Sequence, residues 1–255
     1  MPTVRFDSPR EKEKIALAKE YSDRVKAISY SYNDELERVW RKWMPSLRLA
    51  LQRGDATAAI VDALVSEMRE LLVFVVQDAA DLAVEREFGT DNPKYLLYGL
   101  LPLEVPQCNI SYYEEALDKY REILELDLII ATEMGFADEL EMFLYNPLAF
   151  LAGDADGLIR LKNEVPAGKG VSYSFFENMK RLGISAAALS YANALHHIWQ
   201  KEGAAVFYYG VRNSNYPCEL CDSYAYVLQP MGQMVYPLHN RCVCTIVPVY
   251  QNDMS

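Results

Sequence analysis

Between residues 55 and 88 the chain repeats apolar side chains every three or four positions. Ile60, Leu64, Met68, Leu71, Leu72, Val75, Ala79 and Val84 recur at a spacing that only an α-helix gathers on one side. Asp55 opens this run and Gly89 closes it. The stretch before it, residues 8–44, also reads as helical. Ser8 is placed to cap it, Pro9 suits its first turn, and Pro45 is expected to end it. Two long helices joined around Gly54 form an antiparallel pair in this reading. The first 150 residues are therefore expected to be largely helical.

Three prolines mark a loop between Asn92 and Cys108. A third helix is expected over residues 111–134, with Ser111 at its N-cap and Glu114 completing a capping box. A short helix over 137–145 stops before Pro147. Residues 146–171 hold four glycines and two prolines, and the domain boundary is drawn there. This gives a helical assembly region over 1–150, a linker over 151–171 and a C-terminal domain over 172–255. Two motif-like strings fall in the linker. "DADG" (Asp154–Gly157) lacks the later positions of a calcium loop, and "AGKG" around Lys169 lacks those of a phosphate loop.

After the boundary, Ser172–Leu182 and Ser185–Glu202 read as two helices, the second closed by Gly203. Strand-type residues follow at 204–211, and short strands are expected at Tyr224–Leu228, Gln233–Tyr236 and Cys242–Val249. The expected fold class is α+β: a long helical N-terminal region, then a small α+β module of short strands around a zinc-knuckle-like cluster.

Charge separates along the chain. Residues 1–53 carry 12 Lys/Arg against 8 Asp/Glu, residues 54–164 carry 7 against 23, and residues 165–255 carry 6 against 5. The total of −11 argues against a protein that coats nucleic acid, since neutralising phosphates needs excess Lys and Arg. Weak or no nucleic-acid binding is expected. The longest apolar run, Leu71–Val76, is too short to span a bilayer, so no membrane role is expected. No basic segment followed by an apolar one opens the chain, so export by a signal peptide is not expected.

Four of the five cysteines and one of the three histidines lie within residues 215–250. Cys218-x2-Cys221 can wrap two thiolates around one ion, and His239-x2-Cys242 repeats the spacing, with Cys244 two residues on. Zinc takes four sulfur or nitrogen ligands in a tetrahedron, so these five candidates are one too many. Spacing favours Cys218, Cys221, His239 and Cys242, with Cys244 able to replace either of the last two.

Other readings compete. Disulfides need an oxidising compartment. A thioredoxin-like Cys-x2-Cys follows a strand and opens a helix, whereas strand-type residues are expected after this one. Unliganded buried cysteines would leave the clustering without a reason. A catalytic metal needs an open coordination position and a nearby base, and no acidic residue has an evident claim to that role. A structural Zn2+ is the expected cofactor.

From Gly183 to Tyr250 the chain resembles the C-terminal domain of the phage Mu F-like minor head proteins, also called phage head morphogenesis proteins. The residues that carry the resemblance are "ISAAALSYANALHHIWQ", "AVFYYGVRNSNYPCELC" and "YPLHNRCVCTIVPVY". Pro237, His239, Cys242 and Cys244 fall on the family's motif, as do Cys218 and Cys221. Asn240 stands where the family carries proline, and Val243 where it carries arginine. The resemblance implies a minor capsid protein with a structural, non-enzymatic role in head assembly near the portal. It also implies portal and capsid proteins as partners, homo- or hetero-oligomeric assembly, and a location in the virion or the host bacterial cytoplasm. The alternative is a phage-associated nuclease or toxin-type effector with a zinc-stabilised module. "LHNRC" is similar to His-Asn-His nucleases, but His196 and His197 lie on a helix, where they pack or face solvent.

Overall fold

The computed structural model describes residues 4–98, 104–145, 174–203, 205–213, 217–238, 242 and 244–254. The expected linker at 151–171, its two motif-like strings and His239 lie outside these residues. The fold is α+β, with helices α1 (Pro9–Arg53), α2 (Ala58–Phe88), α3 (Pro93–Tyr98), α4 (Glu114–Met134), α5 (Leu140–Tyr145) and α6 (Phe175–Glu202) before the sheet. Then come β1 (Ala205–Val211), α7 (Glu219–Tyr224), β2 (Gln229–Pro230) and β3 (Thr245–Tyr250). Short 3-10 turns occupy Pro106–Cys108, Ile110–Tyr112 and Gln251–Asp253.

Several helix boundaries differ from the sequence expectation. α1 continues through Pro45 to Arg53. A proline inside a helix removes one hydrogen bond, but Trp40, Met44, Leu47 and Ala50 are all buried on one face across it. The stop lies instead at Gly54, which adopts φ +69°, with Asp55 N–H donating to Ala50 O at 2.9 Å. That is a Schellman-type cap, and it needs the left-handed backbone that glycine supplies at little cost.

The capping box expected at Ser111 is absent. α4 begins at Glu114 with Tyr113 as its N-cap and no side-chain cap bond. Ser111 N–H donates to Asn109 Oδ1 at 3.0 Å, and Glu114 receives Arg69 Nε at 2.8 Å. Pairing with a guanidinium on α2 competes successfully for the Glu114 carboxylate. The two helices expected on either side of Gly183 are one, α6. Ser174 caps it, its Oγ accepting from Glu177 N–H at 3.4 Å and donating to Leu144 O at 3.0 Å. The proline-marked loop holds α3 and a 3-10 turn, and the short helix starts at Leu140 rather than 137.

The chain divides into two compact units that both α1 and α6 enter. One contains residues 1–31, 73–112 and 183–255, and the other residues 32–72 and 113–182. In the second, Trp40 packs on Phe175, Phe176 and Tyr145 with centroids 5.2 to 6.1 Å apart. Tyr32 donates to Met179 O at 3.0 Å.

The first unit carries the sheet, ordered β2-β1-β3 and antiparallel throughout, with Tyr209 opposite Val247 and Val211 opposite Thr245. Alternation along β1 sends its side chains to two faces. Tyr209 and Val211, with Val247 and Val249, pack against Ala18 and Ile15 of α1 and against Phe6 and Met254. On the other face Tyr208 meets His196 of α6, edge to face at 5.7 Å. The sheet is thus covered by α1 on one side and α6 on the other.

Polar contacts tie α1 to the strands. Buried Glu11 accepts from Tyr209 Oη at 2.7 Å, and Lys14 donates to Pro248 O and Asp253, both at 2.9 Å. Two expected strands do not form. Tyr224 ends α7, residues 233–236 join no ladder, and the cysteines at 242 and 244 precede β3 rather than lying in it.

Candidate metal centre

β1 leads from the sheet interior to Val211 and Arg212, and α7 follows after Pro217. Cys218 is the N-cap of α7, with extended backbone (φ −147°, ψ 103°), and its side chain makes no cap bond. Cys221 lies in the first turn and is buried. Three residues apart at a helix start, the two side chains share a side, and the Cys218 and Cys221 thiols are hydrogen-bonded. From the other direction the chain returns towards β3 with buried Cys242 and half-buried Cys244. Residues two apart in extended chain face the same way.

Cys221 Sγ lies 3.8 Å from Cys242 Sγ. The sulfurs of Cys221, Cys242 and Cys244 all lie within 4.8 Å of one another, close enough for one metal ion to touch all three. A disulfide has sulfurs about 2.05 Å apart, and none of the five cysteines is in a disulfide. The fifth, Cys108, is elsewhere in the same unit, where its thiol donates to Ser190 O at 3.2 Å.

Crowding the thiols splits their acidities. A hydrogen bond from Cys244 is the main cause that pulls Cys242 down to about 5, against the opposing effect of burial. Burial is the main cause that pushes Cys221 up to about 12. Cys244 is raised, first by its hydrogen bond to Cys242 and then by burial. Burial and mutual hydrogen bonding thus disfavour ionising all three thiols together. A divalent ion would reverse this by neutralising the accumulated charge, since metal ligation deprotonates a thiol outright.

Three further residues frame the cluster. Tyr236 Oη donates to Tyr224 O, the last residue of α7, at 2.9 Å. Burial is the main cause that raises its hydroxyl pKa, followed by the nearby Cys244, Cys242 and Cys221. Its ring crosses β1 at Gly210, where any Cβ would collide with the phenol. Arg212 forms an ion pair with Asp222 of α7, which is the first cause of its raised pKa, and it also interacts with Cys244 and Cys221. None of these residues announces itself in sequence. Glycine in a strand is the one available signal, since it marks a close approach.

Of the five sequence-predicted ligands, the structure brings Cys221, Cys242 and Cys244 together, with Cys218 bonded to Cys221. His239 is outside the described residues. The placement of Cys218 corrects one expectation: the Cys-x2-Cys does open a helix and does follow a strand. What separates it from a thioredoxin-type pair is the presence of two more thiols on the same spot. Of the other histidines, His196 is buried against Tyr208, which lowers its pKa, and His197 lies 3.5 Å from Glu104.

Comparison with family models, curated proteins and solved structures gave no match. Among the described residues no helix is long and apolar enough to cross a membrane.

Proposed function

We propose that this chain is a minor capsid or head morphogenesis protein of a phage or prophage, with a structural role in head assembly near the portal. The reading is carried by the motif residues of 183–250. Their order of helix, aromatic strand, Cys-x2-Cys and final apolar strand is accompanied by convergence of Cys221, Cys242 and Cys244. Zn2+ is the ion that suits such a thiol-rich set, and its role is to hold the small sheet and α7 together. Portal and capsid proteins are the partners, in a homo- or hetero-oligomeric assembly. The protein works in the virion or the host cytoplasm, without catalysis of its own.

With a net charge of −11, DNA affinity falls in the non-specific range of about 10⁻⁴ to 10⁻⁶ M at physiological salt. Co-expression with the portal and major capsid proteins of the same phage tests the reading. The chain should co-sediment with portal-containing assemblies, and heads assembled without it should be fewer or malformed. Normal heads in its absence, or metal-dependent DNA cleavage abolished in a folded His239→Ala variant, would replace it with the effector reading.

A further inference from the structure

We propose that the metal is held by four thiolates, Cys218, Cys221, Cys242 and Cys244. This rests on the metal reading above and deepens it by naming the ligand set.

Spacing favours a Cys3His site built from two matching knuckles, but the backbone pairs the sulfurs differently. Cys242 and Cys244 lie two apart just before β3, and both sulfurs fall within 4.8 Å of Cys221. Both members of the Cys-x-Cys pair are therefore used, and neither is a substitute for the other. Three positions of a tetrahedron are then taken, leaving one.

Cys218 is the side chain next to that position. Its thiol is hydrogen-bonded to Cys221, and its side chain does not cap α7. The Cys218 sulfur is not among the three that already lie within 4.8 Å of one another, and as fourth ligand it makes the site all sulfur. Zinc with four thiolates carries an excess of negative charge, which a nearby cation offsets. Arg212 interacts with Cys221 and Cys244 and is tethered by Asp222, on the same helix as Cys221. Such a site has no open position for water, which makes it structural rather than catalytic.

Zinc analysis and zinc K-edge absorption on the full-length protein test the assignment. The expected result is about one zinc per chain in a single shell of sulfur near 2.3 Å, with no nitrogen near 2.0–2.1 Å. His239→Ala should keep its zinc, whereas Cys218→Ser and Cys244→Ser should each lose it. Arg212→Ala should weaken zinc retention against a chelator by roughly 10- to 100-fold, as is typical of residues that support ligands.

Should the cysteine variants fail to fold, the wild-type absorption spectrum still decides the shell. So does cobalt substitution, in which His239→Ala should leave the thiolate charge-transfer intensity per ion unchanged. A shell of three sulfurs and one nitrogen, or zinc lost from His239→Ala while Cys218→Ser retains it, overturns the four-thiolate set and leaves the metal reading standing. Wild-type protein that folds without binding zinc overturns both.

Discussion

At the scale of single residues, two positions depart from what their surroundings ordinarily tolerate. Gly210 lets the Tyr236 ring cross β1 and reach Tyr224 O. Gly210→Ala should expel that ring and loosen the cysteine cluster, costing about 1–3 kcal/mol as overpacking does. Denaturant unfolding gives the loss, and a weaker hold on metal should accompany it. An unchanged midpoint would mean that Tyr236 has room to move.

Asp127 on α4 is 1 % exposed, and neither carboxylate oxygen has a hydrogen-bond partner among the described residues. Burial raises its pKa well above the ordinary carboxylate value. The folded state therefore binds this proton more tightly than the unfolded chain. Its effect on stability is absent at low pH and grows unfavourable as pH rises past about 4. Asp127→Leu should accordingly stabilise the protein at pH 7, by roughly 1–3 kcal/mol. The gain should be smaller near pH 3, where only the burial of an unpartnered neutral carboxyl remains, and urea midpoints across that range check both sign and window.

At the scale of elements, α1 shows how a weak local signal loses to packing. Pro45 was the obvious stop, yet the apolar face of Trp40, Met44, Leu47 and Ala50 runs straight through it. A mid-helix proline costs about 3 kcal/mol, partly offset by its smaller unfolded-state entropy. Pro45→Ala should therefore stabilise by roughly 2 kcal/mol, read as a shift in urea midpoint without a change in slope. Destabilisation would mean that the ring itself fills space against its neighbours.

The same contest decided α4 and α6. Glu114 pairs with Arg69 instead of boxing the cap, and Gly183 stays helical between buried Leu182 and Ala186. In the sheet, the strand-type residues at 224–228 make only a single parallel bridge, Ala225 to Gly210 of β1, and those at 233–236 join no ladder. A strand exists only where a ladder does, and here β1 pairs with Thr245–Tyr250 and only briefly with Gln229–Pro230.

At the scale of the whole molecule, chain order and compact units do not coincide. The unit that holds the cysteines draws on residues 1–31 and 73–112 as well as 183–255. Glu11 and Lys14 of α1 bond β1, β3 and Asp253, so the sheet and the start of α1 stabilise one another. Chelating the proposed metal should therefore loosen more than the last forty residues. Hydrogen exchange should rise in α7, in β1 and β3 and in residues 9–31, while residues 32–72 and 113–145 keep their protection. A rise confined to residues 217–250 would show that the sheet needs no metal to hold α1.

The sequence by itself determined the helical period of α2, the helical character and start of α1, the glycine stop after α2, the aromatic strand β1 and the gathering of chemistry near the C-terminus. These are read locally because a period or a cap involves residues a few positions apart. Only the tertiary structure decided that α1 runs past Pro45 and that it covers one face of the sheet. It also decided that Cys221 meets both Cys242 and Cys244, with Tyr236, Gly210 and Arg212 around them. Several of these contacts join positions far apart in the chain, 21 residues from Cys221 to Cys242 and 239 from Lys14 to Asp253. Each is set by the packing of whole elements, for which no short stretch of sequence carries the information.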